Sequence, residues 1–202
     1  MVVRVKPSSH HCSKTIEETQ QKVEANILLL GAENVGKSAL TVRFITRRFI
    51  GEYGEIESIY SHIDTIDGRE ISFNIWDSLY PQSISEKHIC DRSSFEVVRQ
   101  QVQRIRHASR KMSAKAPIII VGNKRDLQHR RTVSSEEGRL LALSEDCVFF
   151  GISADETYHG VLLVFHGLID LIEESRALRK GAAGIKSIVR SMSAVFGKKP
   201  AE

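Results

Sequence analysis

Residues 27–38 read Ile27-Leu28-Leu29-Leu30-Gly31-Ala32-Glu33-Asn34-Val35-Gly36-Lys37-Ser38, an apolar run that ends in GxxxxGKS and is followed at once by a helical apolar pattern. Strand, loop and helix in that order mark a phosphate-binding P-loop. Gly31 and Gly36 carry no Cβ, so the backbone through Ala32, Glu33, Asn34 and Val35 can turn tightly and aim successive N–H groups at one anion. The first turn of the following helix, which includes Ala39, adds free amides and the positive end of its dipole. Lys37 is placed to reach the β- and γ-phosphates as a point charge, and Ser38 to offer its hydroxyl to Mg²⁺.

Working outward, the pattern alternates strands with helices. A helix is expected over residues 37–46, burying Leu40 and Phe44. Asp67-Gly68 is a two-residue turn signal between a run containing Ile59, Ile63 and Ile66 and a return strand with Ile71, Phe73 and Ile75. Ser93-Ser94 can cap a helix that reaches Arg106, and Ile118-Ile119-Ile120-Val121 has the all-apolar character of a strand covered on both faces. Ser134 to Glu137 has capping-box spacing, a strand is expected over residues 147–152, and a long helix over residues 159–178. The expected fold class is α/β, a P-loop NTPase with a doubly wound, mostly parallel sheet and one antiparallel edge hairpin strand.

Length and charge bound the rest. The chain has 202 residues and a formal net charge of +4, enough for one domain that buries a core without metal or disulfide staples. Cys12, Cys90 and Cys147 are odd in number and form no metal-ligand spacing, which suggests a reducing compartment. From Arg176 onward seven Lys/Arg face one acidic residue, so the remainder is slightly acidic. No nucleic-acid motif accompanies that charge, and no nucleic-acid partner is expected. The expected organisation is a flexible leader over 1–22, a nucleotide-binding domain over 23–180 and a basic amphipathic tail over 181–202, hinged at Gly181-Ala182-Ala183-Gly184. The tail holds Ile185, Ile188, Val189, Met192, Val195 and Phe196 at helical spacing but ends without a CaaX cysteine, so no prenyl anchor is expected and any membrane contact should be weak.

A second motif chooses the base. Val121-Gly122-Asn123-Lys124-Arg125-Asp126 stands at the end of the apolar strand, where a doubly wound sheet binds ligand. A carboxylate at Asp126 accepts two parallel hydrogen bonds, which guanine offers from N1–H and its 2-amino group and adenine does not. Asn123 can hold neighbouring loops together, the Lys124 stem can cover the base plane, and Ser153-Ala154 can direct a backbone N–H at the guanine oxygen. An ATP-dependent kinase or ATPase is disfavoured by Asp126.

With both motifs in place, the chain resembles the Ras-family small GTPases. The runs Gly36-Lys37-Ser38-Ala39-Leu40-Thr41-Val42-Arg43-Phe44, Arg48-Phe49-Ile50-Gly51-Glu52-Tyr53 and Val195-Phe196-Gly197-Lys198-Lys199 are most similar to the branch of the Ras-related oestrogen-regulated growth inhibitor. The resemblance implies a guanine-nucleotide switch with GTP or GDP and Mg²⁺ bound, the metal on Ser38 and Asp77. It also implies nucleotide contacts from Gly31 through Ala39, Phe49 stacked on the base, Tyr53 over the phosphates, and Leu127 beside Asp126. Effectors and regulators would meet the switch loops, and a cytoplasmic monomer is expected, with peripheral-membrane or nuclear placement as alternatives.

The family pattern breaks on the phosphate side. Tyr53-Gly54-Glu55-Ile56-Glu57 lacks the threonine that family members place on Mg²⁺, and DTAGQ appears as Asp77-Ser78-Leu79-Tyr80-Pro81-Gln82. Pro81 has neither amide nor side-chain carbonyl to orient water, and Gln82, the remaining candidate beside Lys37 for a catalytic role, arrives one residue late. Glu33 adds bulk and like charge beside the polyphosphate. Slow GTP hydrolysis is therefore expected, with a non-catalytic binding module as the alternative. Only 17 residues separate Asp77 from Phe95, too few for a switch helix and a strand, so the central strand is expected to be missing.

Overall fold

The computed structural model describes residues 1–5, 23–51, 53, 58–77, 92–109, 115–124, 126–127 and 131–196. Six strands form one sheet: β1 (Val2–Val5), β2 (Val23–Leu30), β3 (Ser58–Ile66), β4 (Arg69–Asp77), β5 (Ile118–Gly122) and β6 (Val148–Gly151), in the order β3-β4-β2-β1-β5-β6. Strand β2 runs parallel to β4, and β5 parallel to β6, whereas β3 is antiparallel to β4. The hairpin between β3 and β4 turns at Asp67 and Gly68, both at positive φ, as a two-residue turn matched to the strand twist requires.

Helices α1 (Lys37–Thr46) and α4 (Tyr158–Phe196) cover one face of the sheet, and α2 (Arg92–Ser109) and α3 (Ser135–Ser144) cover the other. Period-two alternation in β2 and β4 sends Ala25, Ile27, Leu29, Ile71, Phe73 and Ile75 into the first core. Phe44 of α1 stacks on Phe165 of α4 with ring centroids 3.9 Å apart and meets Phe73 edge-on at 5.0 Å. Val98, Val102 and Ile105 of α2 lie under the second face with Ile118, Ile120 and Leu141. Helix α3 starts on a complete capping box: Ser134 accepts from the Glu137 amide while Glu137 accepts from the Ser134 amide.

Two expectations are corrected. The sheet is continuous, because residues expected in a flexible leader occupy its middle: β1 pairs antiparallel with β2 on one side and with β5 on the other. Val2 and Val3 are fully buried on opposite faces, in the second and first cores respectively. Removing each from water contributes about 1.5–3 kcal/mol, and the paired ladders remove the penalty an open slot would carry. Residues 6–22 and the remnant strand expected at Ile89-Cys90 lie outside the described residues. The second correction concerns the hinge at residues 181–184, since α4 runs through it without a break to Phe196. Two isolated glycines in a helix cost about 1 kcal/mol each relative to alanine and do not end it.

Candidate nucleotide site

The site forms where β2, β4, β5 and β6 end, because parallel strands deliver their carboxyl ends to one edge. Strand β2 feeds the loop 31–38, and α1 begins immediately at Lys37. Asn34 has φ 56 and Gly36 φ 92, so the loop turns in the left-handed region that lets consecutive amides converge. A Cβ at Gly36 would lie 2.4 Å from Asn123 Nδ2; glycine is required there both by conformation and by the approach of the base loop. Ala32 is half-buried, Val35 and Ser38 likewise, Ala39 is buried, and Glu33 and Asn34 are exposed.

Lys37 is 8% exposed and donates to the carbonyls of Ala32 (2.9 Å) and Gly31 (3.3 Å). Burial pushes its ammonium pKa down, partly offset by the carboxylates of Asp77 and Glu33. Asp77, buried at the end of β4, accepts a 2.5 Å hydrogen bond from the Ser38 hydroxyl. Burial raises its carboxyl above the usual range, against the opposing pull of that hydroxyl and of Lys37. Two hard oxygen donors are thus adjacent, the ligand chemistry Mg²⁺ takes when phosphates and water complete its shell.

On the base side three loops are joined by hydrogen bonds. Asn123 Nδ2 donates to Val35 O (3.1 Å), and Asn123 Oδ1 accepts from the Ala154 amide (3.1 Å). Lys124 Nζ donates to Asn34 O (3.0 Å), the Ser153 hydroxyl donates to Asp126 Oδ1 (2.6 Å), and the Leu127 amide donates to Lys124 O (3.1 Å). Phe49, 38% exposed, meets Tyr53 edge-on with centroids 6.3 Å apart, and the Tyr53 hydroxyl accepts from the Ile50 amide (3.1 Å). Gln82 and Pro81 lie outside the described residues.

Two contributors escape sequence reasoning. Arg131 donates to Ser135 Oγ (2.9 Å) and Asn123 O (3.4 Å), bracing the base loop from α3; it stands in an ordinary charged run that carries no motif. Met1 is the second, packed within 3.1 Å of where a Gly31 Cβ would lie. Its side chain also lines a cavity of about 130 Å³ with Val35, Asn123 and Phe149. Phe95, Val98 and Gly138 line it too, so it lies on the α2 and α3 face of the sheet, beside the loop 31–38.

Comparison with known proteins matches the Ras family over residues 26–79 and 87–174, passing over the stretch between. A bovine Ras-related and estrogen-regulated growth inhibitor-like protein is 36% identical over 198 residues, covering 87% of this chain and 97% of its own. Zebrafish Ras-like protein family member 12 is 33% identical (83% and 72% covered), and the human Ras-related and estrogen-regulated growth inhibitor 34% identical (79% and 86%). The match spans well over half of the chain and carries both the phosphate loop and the base loop, so the chain belongs to the Ras family and is a Ras-like small GTPase switch.

Proposed function

We propose that this switch binds GDP and GTP tightly with Mg²⁺ and hydrolyses GTP slowly. The observation that supports it is the set of hydrogen bonds joining Asn34 and Val35 to Asn123 and Lys124, and Asp126 to Ser153. That set holds the base-reading carboxylate at a fixed distance from the phosphate loop before ligand arrives, which lowers the ordering cost of binding.

In this reading the amides of 31–38 cradle the phosphates, and Lys37 exchanges its two loop carbonyls for β- and γ-phosphate oxygens. Ser38 and Asp77 hold Mg²⁺, which neutralises phosphate charge when bound. Asp126 accepts from the guanine N1–H and 2-amino groups, Lys124 and Phe49 flank the base, Tyr53 covers the phosphates, and the Ala154 region addresses the guanine oxygen. Water attack is poorly oriented, because Pro81 offers no group to position it and Gln82 is displaced by one residue. The protein acts as a monomer on effectors and regulators at its switch loops, with at most weak membrane contact through the basic tail.

The residues around Pro81 favour one second reading, a binding module that holds nucleotide without turning it over. Titration with fluorescent GDP, GTP and ATP, followed by single-turnover hydrolysis, separates the two. Guanine preference with slow turnover is the expected result; equal ATP affinity overturns the guanine reading, and no turnover leaves the binding module.

A further inference from the structure

Strands β2 and β5 do not pair with each other; β1 alone bridges them in the sheet. One half-sheet, β3-β4-β2, carries the phosphate loop, and the other, β5-β6, carries the base loop. Val2 pairs with Leu30, the residue before Gly31, and with Ile120. Met1 exchanges two backbone hydrogen bonds with Val121, each 2.9 Å and two residues before Asn123. Its side chain abuts Gly31, and Val35 Cγ2 lies 3.3 Å from the same would-be Cβ. The first residues of β1 therefore touch both halves of the site at once.

We propose that residues 1–5 are a positioning element of the nucleotide site, whose seating between β2 and β5 sets the spacing of phosphate loop and base loop and is itself strengthened by bound guanine nucleotide. The inference rests on the nucleotide reading above. A nucleotide that contacts both loops holds the half-sheets together, and β1 holds them together from below. Each therefore favours the arrangement the other needs, and linkage makes the effect reciprocal. Strand β1 supplies only four residues to the sheet, so the coupling is carried by the short ladders on its two sides.

The test is amide hydrogen exchange on the full chain with and without GDP and Mg²⁺, read at three places. Protection of 31–38 reports nucleotide binding, the β3–β4 hairpin reports global stabilisation, and the amides of Val3 to Val5 report β1. The expected result is that β1 slows at least ~10-fold more than the hairpin does, a factor equivalent to about 1.4 kcal/mol of coupling. Protection of 31–38 with equal slowing of β1 and the hairpin overturns this inference alone. No protection of 31–38 overturns the nucleotide reading and this inference with it.

A second measurement compares Val3→Ala with Ile71→Val, both at fully buried positions, after matching the variants for thermal stability by temperature. GDP is expected to leave Val3→Ala about 10-fold faster, and Ile71→Val within twofold of the parent. Equal acceleration in both would reduce β1 to a general contributor to stability and refute the positioning role.

Discussion

The base side and the phosphate side of the site share the loop 31–38 but are built differently. On the base side, residues from three separate loops are bonded to one another, and Arg131, just ahead of α3, ties Asn123 O to Ser135 Oγ at the start of that helix. On the phosphate side, Lys37, Ser38 and Asp77 stand together at the ends of β2 and β4, while the chain beyond Asp77 departs from the family pattern at each position that would orient water. In the function proposed above, recognition and turnover depend on different segments, so either can change while the other persists.

The largest test of that division is Lys37→Ala. Losing a charged hydrogen-bond donor to phosphate removes about 1.5–3 kcal/mol, so affinity for GDP and GTP should fall about 10- to 100-fold together, measured by fluorescent-nucleotide titration. Asp126→Asn attacks the other side. It should lower guanine affinity to a similar or slightly smaller degree with little change for adenine nucleotides, read as the ratio of GDP to ADP dissociation constants. If both substitutions reduced every nucleotide equally, the two sides would not be separable.

Pro81→Gln sharpens the comparison from the phosphate side. Single-turnover hydrolysis should rise less than ~10-fold, because the missing threonine and the displaced Gln82 remain, and GDP affinity should stay within twofold. Ser134→Ala gives the smallest effect, about 1 kcal/mol of stability from loss of the α3 cap, measured by chemical denaturation. The Ser134 amide, then Arg92, hold the Glu137 carboxyl below its usual range, so the cap's contribution is present at neutral pH and declines as pH falls through that lowered value.

Legibility followed the same physics. The loop 31–38, the turn at Asp67-Gly68, β5 and the α3 capping box each rest on local chemistry: glycine freedom, a two-residue turn, a four-residue apolar run, a Ser-to-Glu spacing. The open place in the sheet was also legible, from the 17 residues between Asp77 and Phe95. Its occupant was not, because Val2-Val3-Arg4-Val5 is four residues long, precedes a polar stretch, and acquires meaning only from partners 22 to 118 residues away. The continuation of α4 past Gly181 was missed for a related reason: glycine lowers helix propensity but the flanking alanines and long side chains raise it. Within the candidate site, the motif residues were readable individually, whereas the braces from Arg131 and Met1 exist only in three dimensions.

The antiparallel sense of β1 has a practical consequence. Its first residue lies beside Gly31 at the rim of the candidate site and its last at the opposite rim, so a fusion tag or solubility partner joined ahead of Met1 would emerge next to the loop 31–38.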